Sequence, residues 1–257
     1  MVAKRIIPCL DVQDGQVVKG IRFKSLRNVG DPVEMGAAYA REGADELVFL
    51  DISATAEGRK TFAALVERIA RGVDIPFTVG GGIASADDAA RLLDAGADKI
   101  SLNSAALADP SLIGRIAGRY GSQFVVVAID ARNTATPGTQ PDWRCTTHGG
   151  RVATDRELFA WAREAQERGA GEILFTSMDH DGTRNGFACP LYAHLHEELS
   201  IPVIASGGAG SIADIVEVLT TGQADAALAA SIFHYGEISI RQVKEALCAA
   251  GVPVRMA

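Results

Sequence analysis

The stretches FTVGGGIASADDAARLLDAGAD (77–98) and VIASGGAGSIADIVEVLTTGQAD (203–225) decide the fold, because they share the same three parts. Each begins with a short apolar run that predicts a buried strand, continues through a glycine-rich turn, and then shows the period of an amphipathic helix. A Ser-x-x-Asp pair predicts a helix cap directly after each turn, at Ser85–Asp88 and at Ser211–Asp214. One chain therefore holds the same strand–turn–helix unit twice.

Apolar runs of strand length alternate with helical segments along the whole chain of 257 residues. Near-continuous apolar strands joined by helices are typical of a parallel sheet that is covered on both faces. The pattern predicts an α/β fold, a single (β/α)8 TIM barrel. A doubly wound open sheet is the alternative, but no GxGxxG motif opens a helix after the first strand. The eight predicted strands are residues 5–12, 46–53, 76–82, 99–104, 124–131, 172–178, 202–208 and 226–231.

The two halves of the chain resemble each other at a nearly constant offset. A repeat of this length predicts a barrel built from two (βα)4 half-barrels, approximately residues 1–122 and 123–257. The offset is 119 residues from Asp11 to Asp130, 126 from Glu46 to Glu172, 127 from Gly81 to Gly208 and 127 from Ser104 to Ser231.

Composition excludes several classes of function. The chain is 47% hydrophobic and 22% charged, and its net charge of −7 gives no electrostatic basis for binding nucleic acid. No apolar run approaches the roughly 18–20 residues that span a bilayer, so no membrane association is expected. The four cysteines form no CxxC pair, which favours reduced thiols in the cytoplasm. The five histidines show no metal-ligand spacing, and no metal site is expected.

Two of the predicted strands end in a carboxylate. IIPCLDV (6–12) contains Asp11 and VVVAIDA (125–131) contains Asp130. The C-terminal strand ends form the active face of such barrels, and the repeat predicts that the two aspartates face each other across its mouth. Apolar flanking residues would keep both partly desolvated, where a pKa can be tuned for proton transfer. A strand-end aspartate can also be a cap or turn residue, but the duplication favours catalysis.

The two glycine-rich turns predict anion sites. Glycine lets a ligand approach backbone N–H groups closely, and the helix N-terminus that follows carries a positive partial charge. In each half the next strand ends in small side chains, Asn103–Ser104 and Ala230–Ser231. Two such sites predict a substrate with two phosphates.

Long insertions follow the two aspartates. Residues 13–32 hold several glycines and basic residues, which predicts a mobile lid in which Lys19 contacts an anionic ligand, with a solvated charged loop as the alternative. Residues 133–150 predict a small hairpin beside the same mouth. The segment at the end of the sixth strand brings Thr176, Asp181 and Gly182 to that face.

With CLDVQDGQVVKG, TVGGGI, NS, VVVAIDA, TSMDHDGT and IASGGAG in this order, the chain resembles the cyclase subunits of imidazole glycerol phosphate synthase over essentially its whole length. The resemblance implies a lyase of histidine biosynthesis that uses ammonia. Its substrate would be N′-phosphoribulosyl-formimino-AICAR ribotide (PRFAR), its products imidazole glycerol phosphate and AICAR ribotide, and no cofactor would be needed. Asp11 would be the base and Asp130 the acid. Further substrate contacts would come from Lys19, Gly82, Asn103, Ser104, Thr176, Asp181, Gly182, Gly208, Ala230 and Ser231.

The resemblance also implies a heterodimer, in which a glutaminase subunit on the N-terminal (bottom) face sends ammonia along the barrel axis. Arg5, Glu46 and Lys99 each begin a predicted strand, and alternation along the strands directs Arg5 and Lys99 inward. Charges inside the bottom of a barrel are costly unless they are paired. Together with Glu167 they are expected to form a salt-bridged ammonia gate; the alternative is that they are ordinary surface charges at strand starts.

Three other functions compete with this interpretation. The isomerase that acts on ProFAR in the same pathway shares the repeat, the aspartates and the phosphate sites, but the QVVKG lysine and the bottom charges favour the cyclase. A non-catalytic phosphate-binding barrel would work without Asp11 or Asp130. An aldolase-type barrel requires a Schiff-base lysine inside a strand, and no predicted strand has one.

Overall fold

The computed structural model describes residues 2–21, 24–52, 56–136 and 138–256, with side chains for all of these except 19–21, 24–27 and 56–61. The strands are β1 (Arg5–Gln13), β2 (Gln16–Ile21), β3 (Lys24–Gly30), β4 (Leu47–Asp51), β5 (Phe77–Gly80), β6 (Lys99–Leu102), β7 (Val125–Asn133), β8 (Trp143–Thr147), β9 (Val152–Glu157), β10 (Glu172–Ser177), β11 (Val203–Ser206) and β12 (Ala226–Ala229). The helices are α1 (Pro32–Arg41), α2 (Ala56–Gly72), α3 (Ala86–Asp94), α4 (Ser104–Ala108), α5 (Ser111–Tyr120), α6 (Leu158–Glu167), α7 (Cys189–Glu198), α8 (Ile212–Thr220), α9 (Ser231–His234) and α10 (Ile240–Ala249). Within the described ranges, no helix combines the length and the apolar character needed to cross a membrane.

Eight parallel strands form a closed barrel. Their order is β10-β11-β12-β1-β4-β5-β6-β7, and β7 pairs with β10 to complete the ring. These eight strands coincide with the eight predicted apolar runs, and helices separate them along the chain. The predicted (β/α)8 barrel is therefore confirmed.

Two hairpins extend barrel strands beyond the ring. The first is β2–β3, which pairs antiparallel with the end of β1 through Val12 and Val17. Residues 13–32 were expected to be a lid loop, but most of them form this hairpin, because buried Val17 and Val18 give it an apolar anchor that a solvated loop lacks. The second hairpin, β8–β9, pairs with β7. A hairpin was expected within residues 133–150, but only its first strand lies there, because the chain turns later and the second strand is Val152–Glu157.

Contacts divide the chain into two compact units, Met1–Ser101 with Ala227–Ala257, and Leu102–Ala226. In the first unit, the core includes the fully buried Ile6, Leu10 and Phe49. In the second unit it includes the almost completely buried Trp161, Phe175 and Tyr192. The half-barrel boundary expected near residue 122 stays a prediction.

The helix caps fix how the chain enters three of the helices. Asp31 caps α1 by accepting hydrogen bonds from the N–H groups of Val33 and Glu34, and Pro32 occupies the first helical position. Ser85 accepts from the Asp88 N–H group at the start of α3. Ser211 and Asp214 form a complete capping box at α8. The Ser-x-x-Asp pairs thus start helices directly after both glycine-rich turns, as predicted.

The four cysteines are free thiols, as expected from their spacing. Cys9, Cys145 and Cys189 are buried, whereas Cys248 is exposed. Burial raises the pKa of the Cys145 thiol to about 12 and that of Cys189 to about 11. Nucleophilic thiol chemistry is therefore not available at these two positions near neutral pH.

Candidate active site

In the second unit, Asp130 lies near the end of β7 and is held from two neighbouring strands. Thr176 of β10 is its in-register partner on one side. On the other side, Thr146 of β8 donates its hydroxyl hydrogen to the Asp130 carbonyl oxygen over 3.1 Å. Asn103, at the end of β6, donates from Nδ2 to the Asp130 carboxylate over 2.9 Å. The structure thus brings together Asn103, Asp130 and Thr176, which were predicted independently.

The surroundings of Asp130 favour its protonated form. Burial raises the pKa of the Asp130 carboxyl to about 6, and the negative charge of Asp181 pushes in the same direction. Hydrogen bonds from Asn103 and Thr176 pull the pKa down and limit the rise. Near neutral pH this carboxyl has an appreciable protonated fraction and can donate a proton, which an ordinary aspartic acid does not do there.

The segment after β10 is folded tightly against its own strand. The N–H groups of His180 and Asp181 donate to the Ser177 carbonyl oxygen over 3.1 and 2.9 Å. The Ser177 hydroxyl, fully buried, is 2.8 Å from His180 Nδ1. Gly182 follows with a φ of 71°, in the left-handed region. These bonds fix Asp181 near the strand end, where its charge acts on Asp130.

The turn after β11 is packed against the same segment. A Cβ atom on Gly208, which has a φ of 107°, would overlap the Gly186 carbonyl oxygen. A Cβ atom on Gly207 would lie 2.9 Å from the Ser177 carbonyl oxygen. Gly186 donates its N–H hydrogen to the Gly208 carbonyl oxygen over 2.9 Å, which holds the two backbones together. Glycine is required here because two backbones approach each other, in addition to any role with a ligand.

At both predicted anion sites, some of the backbone N–H groups already donate hydrogen bonds to the aspartate that caps the following helix. Asp214 accepts hydrogen bonds from the N–H groups of Gly210 and Ser211 over 2.9 and 2.8 Å. In the first unit, Asp88 accepts from the Ala84 N–H group over 3.0 Å. These donors belong to the caps, so a bound phosphate would depend on the earlier glycines of each turn.

The β8–β9 hairpin reaches one of the predicted phosphate residues. His148, just after β8, donates its backbone N–H hydrogen to Ser104 Oγ over 3.3 Å and has a φ of 56°. Asn103 occupies the cap position of α4 without a side-chain cap bond. Its Oδ1 atom is buried, and none of the residues that the structure describes forms a hydrogen bond with it. The contact of His148 was not predicted, since a hairpin register of this kind leaves little trace in local sequence.

In the first unit, Asp11 lies near the end of β1, 9% exposed and in register with Leu50 of β4. Asp51, the last residue of β4, is 7% exposed and was not predicted, although FLD has the same form as CLD and AID. A Cβ atom on Gly81 would overlap the Asp51 carbonyl oxygen. Gly82 follows with a φ of 66° and is exposed.

Two further predicted residues also lie in the first unit. Ser231 is the first residue of α9, and Ala230 precedes it at the cap position. His234, at the end of this helix, is fixed by a 2.6 Å hydrogen bond between its Nδ1 atom and the Tyr39 hydroxyl. Lys19 lies in β2 opposite Arg27, and its side chain is outside the described part of the structure.

At the opposite ends of the first unit's strands, three charged side chains form a single group, called here the gate trio: Arg5, Glu46 and Lys99. Arg5 Nη1 lies 2.9 Å from one Glu46 carboxylate oxygen, and Lys99 Nζ lies 2.6 Å from the other. The Glu46 side chain is 9% exposed, and those of Arg5 and Lys99 are 20% and 17% exposed. Three of the four charges predicted for a bottom cluster are therefore paired.

Glu167, the fourth charge of the predicted gate, does not begin a strand. It is the last residue of α6 and is exposed. The carboxylate that begins a strand in the second unit is Glu172, the first residue of β10, which is 7% exposed. Its position corresponds to Glu46 in the repeat, so the expectation for Glu167 is corrected in favour of Glu172.

Comparison with known proteins is consistent with this arrangement. A family model described as histidine biosynthesis protein matches residues 5–239. Curated relatives named imidazole glycerol phosphate synthase subunit HisF include one from Bacteroides fragilis (strain YCH46), 60% identical over 99% of this chain and 100% of the relative. Another, from Geobacillus thermodenitrificans, is 60% identical with the same coverage. One from Phocaeicola vulgatus is 57% identical over the full length of both chains.

Proposed function

The chain belongs to the histidine biosynthesis protein family and, within it, to the imidazole glycerol phosphate synthase subunits named HisF, and we propose how its residues perform their reaction. It is the cyclase subunit of that synthase, a lyase of histidine biosynthesis, and the subunit name implies a partner. The synthase name of these relatives does not favour the isomerase alternative. We propose the roles of its individual residues, its substrate and the face on which the partner subunit binds.

The proposed reaction joins ammonia to PRFAR. The nitrogen forms a bond to the ribulosyl carbonyl carbon, the carbonyl oxygen is protonated, and the resulting hydroxyl leaves as water. Closure of the imidazole ring and cleavage to imidazole glycerol phosphate and AICAR ribotide require further proton transfers. A donor and an acceptor of protons are therefore both needed within the same site.

We assign the donor role to Asp130, and its raised pKa is the observation that carries the proposal. At a pKa of about 6, roughly one-tenth of this carboxyl is protonated at pH 7, compared with a far smaller fraction at the ordinary value of 3.8. That proton can go to the leaving hydroxyl. Asn103 and Thr176 then stabilise the carboxylate that results, since both hydrogen bonds favour the charged form.

Asp11 is assigned the acceptor role. It is the strand-end carboxylate of β1, as Asp130 is of β7, and it is 9% exposed. Removal of a proton from the added nitrogen requires an ionised carboxylate, while Asp130 serves as the acid. One carboxyl then accepts a proton while the other donates one.

The two phosphates are assigned to the two glycine-rich turns. Gly82 with Asn103 and Ser104 would bind one of them. Asp181, Gly182, Gly208, Ala230 and Ser231 would line the other end of the substrate. Of this second group, Asp181 is assigned contacts to hydroxyl groups, because its negative charge repels phosphate. Lys19 is assigned to the bound substrate as a counter-charge.

Ammonia is proposed to come from a glutaminase subunit on the bottom face and to pass the gate trio, with Glu172 as its fourth member. Because buried charges are costly unless they are paired, the trio is expected to stay closed until its pairing changes. A cytoplasmic location is proposed with this role, and the four free thiols are in keeping with it.

The test is turnover of PRFAR with ammonium chloride as nitrogen donor, for the unmodified chain and for Asp11→Asn and Asp130→Asn. Turnover that falls at least about 100-fold in both variants, with PRFAR binding retained, supports the assignment. Activity retained in either variant would remove that aspartate from the mechanism. Tight PRFAR binding without turnover in the unmodified chain would instead indicate a non-catalytic barrel.

A further inference from the structure

The backbone beside the gate trio is fixed by a single carboxylate, that of Asp45. Asp45 directly precedes Glu46, and its Oδ2 atom accepts a hydrogen bond from the Ile6 N–H group over 2.8 Å. The Asp45 N–H group donates in return to the Ile6 carbonyl oxygen over 3.1 Å. Since Ile6 follows Arg5, this two-way bond fixes the chain next to two members of the trio.

The other oxygen of Asp45 is held by a buried lysine. Lys244 Nζ, on α10, donates to Asp45 Oδ1 over 2.8 Å, and the Lys244 side chain is 2% exposed. Arg255 Nε lies 3.6 Å from the same carboxylate oxygen and is 63% exposed. A charge as buried as that of Lys244 is stable only when it is paired, so the lysine fixes the orientation of the Asp45 carboxylate.

Lys244 also joins the C-terminal segment to this carboxylate. Its Nζ atom donates to the Arg255 carbonyl oxygen over 2.6 Å. The same segment is bonded to the start of β1, because Lys4 donates its N–H hydrogen to the Pro253 carbonyl oxygen over 2.8 Å. Residues 253–255 are thus connected to two of the three chain segments that carry the trio, those of Arg5 and Glu46.

We infer that Lys244 and Asp45 are positioning residues for the Arg5–Glu46–Lys99 trio, and that residues 253–255 act on the trio through them. The inference rests on the proposed role of the trio as the ammonia gate. A displacement of Arg255 withdraws one partner from Lys244, the lysine then shifts against Asp45, and the Ile6–Asp45 bond transmits the shift to Arg5 and Glu46. Substrate and the catalytic aspartates take no part in this chain of contacts.

The experiment uses the chain assembled with the glutaminase subunit of its own synthase. The quantity measured is the number of glutamines hydrolysed per imidazole glycerol phosphate formed, alongside turnover driven by ammonium chloride. Lys244→Met is expected to raise that ratio at least about threefold, while ammonium-driven turnover stays within about twofold of the unmodified enzyme. Arg241→Met, at an exposed position on the same helix, is the matched control and is expected to change neither quantity.

A second variant guards against misfolding, because Lys244→Met alone removes the closest cation from the buried Asp45 carboxylate and leaves the longer contact to the exposed Arg255 side chain. Asp45→Asn/Lys244→Met removes both charges, and it is expected to fold and still raise the ratio. An unchanged ratio in both variants, with Glu46→Gln raising it, overturns the inference and leaves the gate in place. An unchanged ratio in Glu46→Gln itself overturns the gate, and this inference with it. If the ammonium-driven turnover of the Lys244→Met variant falls only in proportion to its folded fraction, and the ratio is unchanged, Lys244 has a purely structural role.

Discussion

Asn103 and Asp130 are joined by a hydrogen bond of 2.9 Å, from the amide nitrogen of one to the carboxylate of the other. This bond stabilises the ionised carboxylate and therefore opposes the rise in pKa that burial causes. Asn103 thus sets how readily Asp130 gives up its proton.

Replacing Asn103 by Ala is expected to raise the pKa of Asp130 above about 6, because one of the two bonds that favour the charged form is lost. If Asp130 acts as a protonated donor, turnover at saturating PRFAR falls as the pH rises through that pKa. The falling limb of the pH–rate profile should therefore move to higher pH, by about one unit. Thr176→Val should move it in the same direction. If the falling limb stays at the same pH in both variants, it does not report the titration of Asp130.

Asp130→Asn is expected to stabilise the fold at neutral pH. The pKa of Asp130 is higher folded than unfolded, so the carboxyl favours the folded state most at low pH, and that contribution is lost as the pH rises from about 4 to about 6. Asparagine avoids this loss and can still accept the bond from Asn103. With a rise from 3.8 to about 6, the gain in free energy of unfolding is about 2–3 kcal/mol. Urea unfolding at pH 4 and pH 7.5 measures it, and a difference independent of pH would contradict the assignment.

Gly208→Ala is expected to lower the free energy of unfolding by about 2–4 kcal/mol and to raise the KM for PRFAR, because the new Cβ atom displaces the segment after β10. Gly236→Ala is the matched control. Gly236 also has a positive φ, 63°, but among the described residues, its two chain neighbours aside, no heavy atom lies within 4 Å of an added Cβ. It should cost about 1 kcal/mol and leave the KM unchanged. Equal effects of the two substitutions would mean that glycine is required at position 208 by its positive φ and not by the close approach of the Gly186 backbone.

Glu46→Gln and Glu167→Gln should differ sharply. Glu46 is the acidic member of two ion pairs with partly buried cations, so its neutralisation is expected to lower the free energy of unfolding by roughly 1–3 kcal/mol. Glu167 is exposed at a helix end, and its neutralisation should change stability by less than about 0.5 kcal/mol. Denaturant titration of both variants measures the difference. A large loss in Glu167→Gln would restore that residue to the gate.

The side chains at the strand ends could be predicted because an apolar run marks each strand locally and the repeat of the two halves marks equivalent positions. Asp11 and Asp130 stand out as carboxylates that follow apolar runs, and the barrel rule assigns them to one face. The expectation for Glu167 failed because this residue lies within the helical period of DRELFAWAREAQERGA. Only the 126-residue offset from Glu46 indicates that Glu172 is the carboxylate at the equivalent strand start. Asp51 was missed although its pattern was present.

Contacts that depend on tertiary packing could not be predicted from the sequence. Nothing local indicates that Asn103 donates to Asp130, that His148 reaches Ser104, or that Lys244 is paired with Asp45 at a separation of 199 residues. The hairpin after Asp11 was mistaken for a loop because its glycines and charges are typical of loops, whereas the burial of Val17 that anchors it is a property of the folded chain.

The uneven exposure of the thiols makes the chain suited to labelling without engineering. Cys248 is exposed near the C-terminus, with its Sγ atom 3.7 Å from Met256 Sδ, while the other three cysteines are buried. A maleimide fluorophore should therefore attach at one position only. Its emission would report on the environment of residues 253–255 in the otherwise unmodified enzyme, in real time, as a second subunit is titrated in.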